Sequence, residues 1–123
     1  QQGIDRVVLL GHSSGAMTAV AYTVEHPKTV RGVIAIGLST ERAGGRLMQP
    51  VLLLDQLKLP ILDVYGSEDL PVVLDFASAR TDAARNAKNQ EYVQKVVKQA
   101  NHFFTGHYPQ LKNIIVKWLN TVR

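Results

Sequence analysis

Cysteine is absent from the 123 residues, which removes disulfides, thiolate metal sites and a Cys nucleophile from consideration. No apolar run approaches the ~20 residues that a membrane-spanning helix needs. The longest aliphatic stretches, such as Val51–Leu54, are far shorter. The N-terminus lacks a charged segment followed by an apolar stretch, so no signal peptide is legible there. The compartment stays open. Aromatic residues make up 7% of the chain. They do not interleave with Lys88, Lys95, Lys98, Lys112 and Lys117 as a base-stacking platform would.

The content that is present is ordinary for a globular protein, 46% hydrophobic and 20% charged. Net charge is +4. Residues 1–70 hold six Lys/Arg against seven Asp/Glu, and residues 71–123 hold eight against three. The basic residues are spread out, so they read as a solvated surface and no nucleic-acid partner is expected.

Strand and helix patterns alternate. Arg6–Leu10 is a continuous apolar run of the kind found in strands buried on both faces. Ser14–His26 carries Met17, Val20, Ala21 and Val24 at helical spacing and stops at Pro27. Val30–Gly37 is a β-branched strand, Ser39–Arg46 a loop, and Leu47–Leu57 a helix interrupted near its start by Pro50. Pro60–Gly66 is a third strand. Asp75–Lys88 is an Ala-rich helix with Asp75 as N-cap. Glu91–Lys98 is a fourth strand, and its Lys95 and Lys98 suit a sheet edge. Leu111, Ile114, Ile115, Trp118, Leu119 and Val122 form one apolar helical stripe behind Pro109. This order predicts a parallel sheet of about four strands between helical layers, in one domain covering residues 1–123.

Gly11-His12-Ser13-Ser14-Gly15 matches G-x-S-x-G between a strand and a helix. A tight turn of this kind lifts a serine above the sheet, and the reading assigns glycine at both flanks to steric need. Ser13 is then a candidate nucleophile, and the Ser14 N–H a donor to an oxyanion. A base and an acid should follow on loops beyond later strand ends. Asp69, just past the third strand, is the preferred acid; Glu68 is the alternative, and Asp63 is disfavoured because it lies inside the strand. His102, on the loop after the fourth strand, is the preferred base. His107 lies closer to the last helix, His26 ends a helix, and His12 cannot easily reach its neighbour's hydroxyl in line. Arg80 is one candidate partner for Asp63.

These motifs resemble the α/β-hydrolase superfamily. Val7–Gly15 is similar to its strand and nucleophile elbow, Leu59–Pro71 (LPILDVYGSEDLP) to its acid turn, and Ala100–Phe104 (ANHFF) to its histidine loop. From Leu59 to Leu119 the chain resembles a group of uncharacterised bacterial hydrolase-like proteins, on the Arg80–Ala87 helix, Tyr92-Val93-Gln94 and Trp118-Leu119. The resemblance implies a Ser13–His102–Asp69 triad acting on a carboxylic ester or related small acyl substrate, with no metal or organic cofactor. Leu38, Leu70 and Phe103 are candidate walls of an acyl pocket. It matches only the second half of the family fold, from the elbow onward. The expectation is therefore a truncated domain with one of two oxyanion donors and weak activity alone. Self-association through the Arg6–Leu10 edge is also expected. A non-catalytic, hydrolase-derived binding or assembly module is the competing reading. A phosphate-binding loop ranks last, because the G-x-G-x-x-G spacing and a P-loop lysine are both missing.

Overall fold

In a computed structural model that describes residues 5–122, four strands form one parallel sheet. They are β1 (Val7–His12), β2 (Val30–Ile36), β3 (Ile61–Gly66) and β4 (Tyr92–Val97), and their spatial order repeats their chain order. Val33 and Ala35 point to one face and Ile34 and Ile36 to the other, as period-2 alternation requires.

The first face is covered by α1 (Ser14–Glu25), α2 (Pro50–Leu54) and α4 (Ala77–Asn86), through Ala16, Met17, Val20, Leu53, Leu54 and Ala83. The second face is covered by α5 (Tyr108–Leu119), whose Trp118 packs with Ile34, Ile36, Leu62 and Val64. The arrangement is the expected three-layer α/β/α sandwich. Fully burying one such aliphatic side chain is worth about 1.5–3 kcal/mol, so the two clusters hold the layers on the sheet. No helix among the described residues is long and apolar enough to cross a membrane.

Two element boundaries and the burial of one strand differ from what the sequence predicts. Asp75 does not start a helix. A short α3 (Pro71–Leu74) precedes α4, and Asp75 is its C-cap. Pro71, pre-set for a first helical position, starts α3, and Phe76 at φ −111°, ψ 7° breaks the path before α4. Pro50 likewise opens α2, and the residues before it form two 3-10 turns, Arg42–Gly44 and Arg46–Met48. Finally, β1 is not buried on both faces: Val7 is 41% and Leu10 57% exposed. Among the described residues β1 has β2 as its single neighbour. β4 closes the opposite edge, where its lysine suited it.

Candidate active site

Parallel strands bring their C-terminal ends to one rim, and the loops beyond β1, β3 and β4 meet there. The β1–α1 turn holds Ser13 at φ 59°, ψ −119°, a strained combination for a non-glycine residue. It persists because both sides are tied. The Ser13 N–H donates to Ile36 O at 2.9 Å, and Ser13 O accepts from the Ala16 and Met17 amides. The Ser14 and Gly15 amides belong to the first turn of α1, where helical partners run out.

A Cβ on Gly11 would lie 2.3 Å from Gly15 O, so the turn closes only with glycine there. Gly15 is different: a Cβ would meet nothing within 4 Å. The steric need for glycine at both flanks is thus corrected to one. Gly11→Ala is expected to cost about 1–3 kcal/mol through forced backbone displacement. Gly15→Ala should be neutral, or stabilising by up to about 1 kcal/mol. Urea titrations of the two variants check the contrast.

The acid turn follows β3. The Asp69 N–H donates to Gly66 O at 3.1 Å, and the Leu70 N–H donates to Asp69 Oδ1 at 2.7 Å. Asp69 is buried. The histidine loop follows β4 and is stitched by its own polar groups. Asn101 Oδ1 accepts from the Phe103 and Thr105 amides, and Phe104, at φ 57°, drops its ring into the core. The Glu68 N–H donates to Ala100 O at 2.9 Å and joins the two loops.

His102 is thereby placed between the other two. Its Nε2 lies 2.9 Å from Ser13 Oγ and its Nδ1 2.6 Å from Asp69 Oδ1. A carboxylate accepts only, so Nδ1 carries the hydrogen and Nε2 is left to accept from the Ser13 hydroxyl. Gly37, at φ 60°, backs the ring: a Cβ there would lie 3.0 Å from His102 Cε1. That arrangement can draw a proton from Ser13 and hold the resulting imidazolium.

The competing residues go elsewhere. Glu68 and His26 are exposed. The ring of His107 faces Thr105 O at 3.0 Å. Asp63 lies within β3, away from the rim, and Arg80 Nε donates to its Oδ2 at 2.7 Å. Tyr92 and Gln94 donate to the same oxygen. Burial first, then the Asp63 charge and its hydrogen bond, push the Tyr92 hydroxyl well up, so it remains a donor. Of the pocket candidates, Leu70 (46%) and Phe103 (65%) are exposed on the rim, whereas Leu38 has no exposed surface and belongs to the core. His12, set aside above because it cannot easily reach the neighbouring hydroxyl, turns instead to the histidine loop, its Nε2 2.8 Å from His102 O. Tyr92 and Gln94 join as partners of Asp63 that were not anticipated from the sequence. Their i, i+2 spacing on a strand was the available signal. Among the described residues no three His, Asp or Glu side chains are grouped so as to hold a metal ion.

The likeness to known proteins agrees with this architecture. The chain is 28% identical over 113 residues to the proline iminopeptidase of Saccharolobus solfataricus, covering 91% of this chain and 30% of that one. A predicted CIB-like hydrolase from Thermoplasma acidophilum superposes with a TM-score of 0.76 at 20% identity, over 98% of this chain and 53% of that one. MGS-MChE2, an α/β hydrolase enzyme from a lagoon-sediment metagenome of Mar Chica, Morocco, gives 0.76 at 17%, over 97% and 63%. The chain thus spans less than two thirds of each of these relatives. Its four-stranded parallel sheet and flanking helices are an α/β-hydrolase fold. The model of the family described as protein of unknown function (DUF3530) matches residues 1–121, and the chain belongs to that family.

Proposed function

We propose that the chain carries the reacting groups of a serine hydrolase for a carboxylic ester or related small acyl substrate. The observation that supports this is the unbroken hydrogen-bonded series Ser13 Oγ, His102, Asp69 Oδ1 at one rim. Ser13 Oγ attacks the acyl carbon while His102 Nε2 takes its proton. Asp69 holds Nδ1–H and stabilises the imidazolium. The Ser14 amide donates to the oxyanion, with the N-terminal end of α1 adding its positive dipole. His102 returns the proton to the leaving group, and a water, activated by the same ring, releases the acid. Leu70 and Phe103 offer apolar surface beside the acyl group. The names of the similar proteins, an iminopeptidase and two hydrolases, suit acyl transfer to water without choosing ester over amide.

Covalent capture tests the reading better than turnover, because the elbow supplies only the Ser14 donor and lone-donor sites lose on the order of 10²–10³ in rate. A fluorophosphonate is expected to label Ser13, with fluoride leaving as the Oγ–P bond forms. Ser13→Ala should abolish labelling, and Asp69→Asn should slow it by up to about 10⁴-fold. A folded chain inert to the phosphonate would sink the proposal.

A second reading, a non-catalytic binding or assembly module, draws on the edge of β1 that has no strand partner among the described residues. Val7, Leu10 and Tyr22 are exposed there and rim a shallow hollow of about 300 Å³ with Leu9 and Ala19. Unpaired backbone on an apolar edge strand invites another strand. We propose pairing with a second copy, most simply about a two-fold axis. Light scattering at micromolar concentration should then give a dimer mass, whereas a stable, dispersed monomer would exclude it.

A further inference from the structure

We propose that His12 is a positioning residue that anchors the histidine loop to the nucleophile elbow, independently of the Ser13–His102 bond. His12 is the last residue of β1, in register with Ile36, so its backbone belongs to the sheet. Its side chain leaves the sheet and crosses to the loop after β4, where Nε2–H donates to His102 O at 2.8 Å across 90 residues of chain. The ring centroids of His12 and His102 are 4.7 Å apart with the planes tilted by 36°. Phe103 closes the group, 5.7 Å from His12 and 5.2 Å from His102, edge-on to the latter. His102 is therefore held at three points: Nε2 by Ser13, Nδ1 by Asp69, and its carbonyl by His12.

The third point matters because the first is temporary. Once Ser13 Oγ carries an acyl group it no longer donates to Nε2, and the ring must still be aimed at the leaving group and then at water. Asp69 orients the ring through the side chain, and His12 holds the backbone beneath it. The anchor and the nucleophile are adjacent residues, so the loop is tied to the same turn that presents the serine. A carbonyl accepts only, so the hydrogen of a neutral His12 sits on Nε2. The contact survives protonation at Nδ1, because both forms of the ring keep Nε2–H. Displacement of a reacting group by about 1 Å can cost on the order of 100-fold in rate.

The consequence for rate rests on the hydrolase reading above; the placement of His102 does not. Ring-nitrogen NMR of the wild-type chain with ¹⁵N-histidine is expected to show neutral His12 protonated at Nε2 and a downfield His102 Nδ1–H signal. In His12→Leu that signal should broaden and exchange faster with solvent. The rate constant for phosphonate capture should fall about 10- to 100-fold, the scale set by angstrom-level displacement, at unchanged half-saturation. His12→Gln, whose amide also donates, should recover most of both. A wild-type His12 protonated at Nδ1 would overturn the assignment, as would a folded His12→Leu with signal and rate unaltered. If His12→Leu does not fold, the wild-type tautomer decides. If the wild-type chain is not captured at all, the hydrolase reading fails, while the tautomer and the His102 signal still judge His12.

Discussion

Arg80→Met is expected to be the most damaging single substitution that leaves the rim untouched, lowering stability by about 3–5 kcal/mol. That is a large share of the roughly 5–15 kcal/mol available to a domain of ordinary stability. Arg80 and Asp63 are both fully buried. Besides its bond to Asp63, Arg80 donates from Nη1 to Val73 O at 2.9 Å and lies 5.4 Å from the centre of the Tyr65 ring. Removing the guanidinium leaves a carboxylate inside the first-face layer with only the Tyr92 and Gln94 donors. Replacing Asp63, Arg80 and Tyr92 together by Leu, Met and Phe removes the buried charge as well. That triple variant should be more stable than Arg80→Met alone, because exchanging a buried pair for packed apolar groups is often neutral or better. Urea unfolding followed by the fluorescence of Trp118, the single tryptophan, would read both. A triple variant weaker than Arg80→Met would contradict the charge argument.

Gly66→Ala should cost about 3 kcal/mol or more, at the upper end for overpacking, because the neighbour that must yield is backbone. A Cβ on Gly66 would stand 2.0 Å from Ala100 O and 2.5 Å from Ala100 C. Ala100 O is the acceptor of the Glu68 amide, so the added methyl would part the acid turn from the histidine loop. The same variant should lose the Asp69–His102 bond. Thermal unfolding measures the first effect and the His102 Nδ1–H signal the second. A stable Gly66→Ala chain with that signal intact would mean the loops tolerate separation.

Much of this architecture is legible in the residues themselves. The run Val7–Leu10 ending in Gly11 marks a strand and its turn by its local propensity alone, and β-branched Val30–Ile36 marks the next, where propensity and burial agree. Ser13, Asp69 and His102 could be nominated because parallel strands bring every strand end to one side. Other features have no local signature. Pro71 reads equally as the tail of the acid turn or the head of α3, and Asp75 as a cap for either helix. Leu10 is as apolar as Leu9; only its place on an outer strand exposes it. The contact between His12 and His102 O joins residues 90 apart, and no spacing encodes it. Leu38 looked like rim because it follows a strand end, yet Gly37 at φ 60° turns the chain back and sends its side chain into the core.

The spatial order of the strands, β1-β2-β3-β4, has a consequence for biosynthesis. Each strand lands on the edge that its predecessor has just made, so the sheet can grow in step with the ribosome, each unit closing only a short loop. Ser13 precedes His102 by 89 residues of chain. Until β4 and its loop emerge, the serine stands in its strained turn without His102 beside it. Under the proposed chemistry, a nascent chain would thus hold a shaped but silent nucleophile, and reactivity would switch on only as β4 docks.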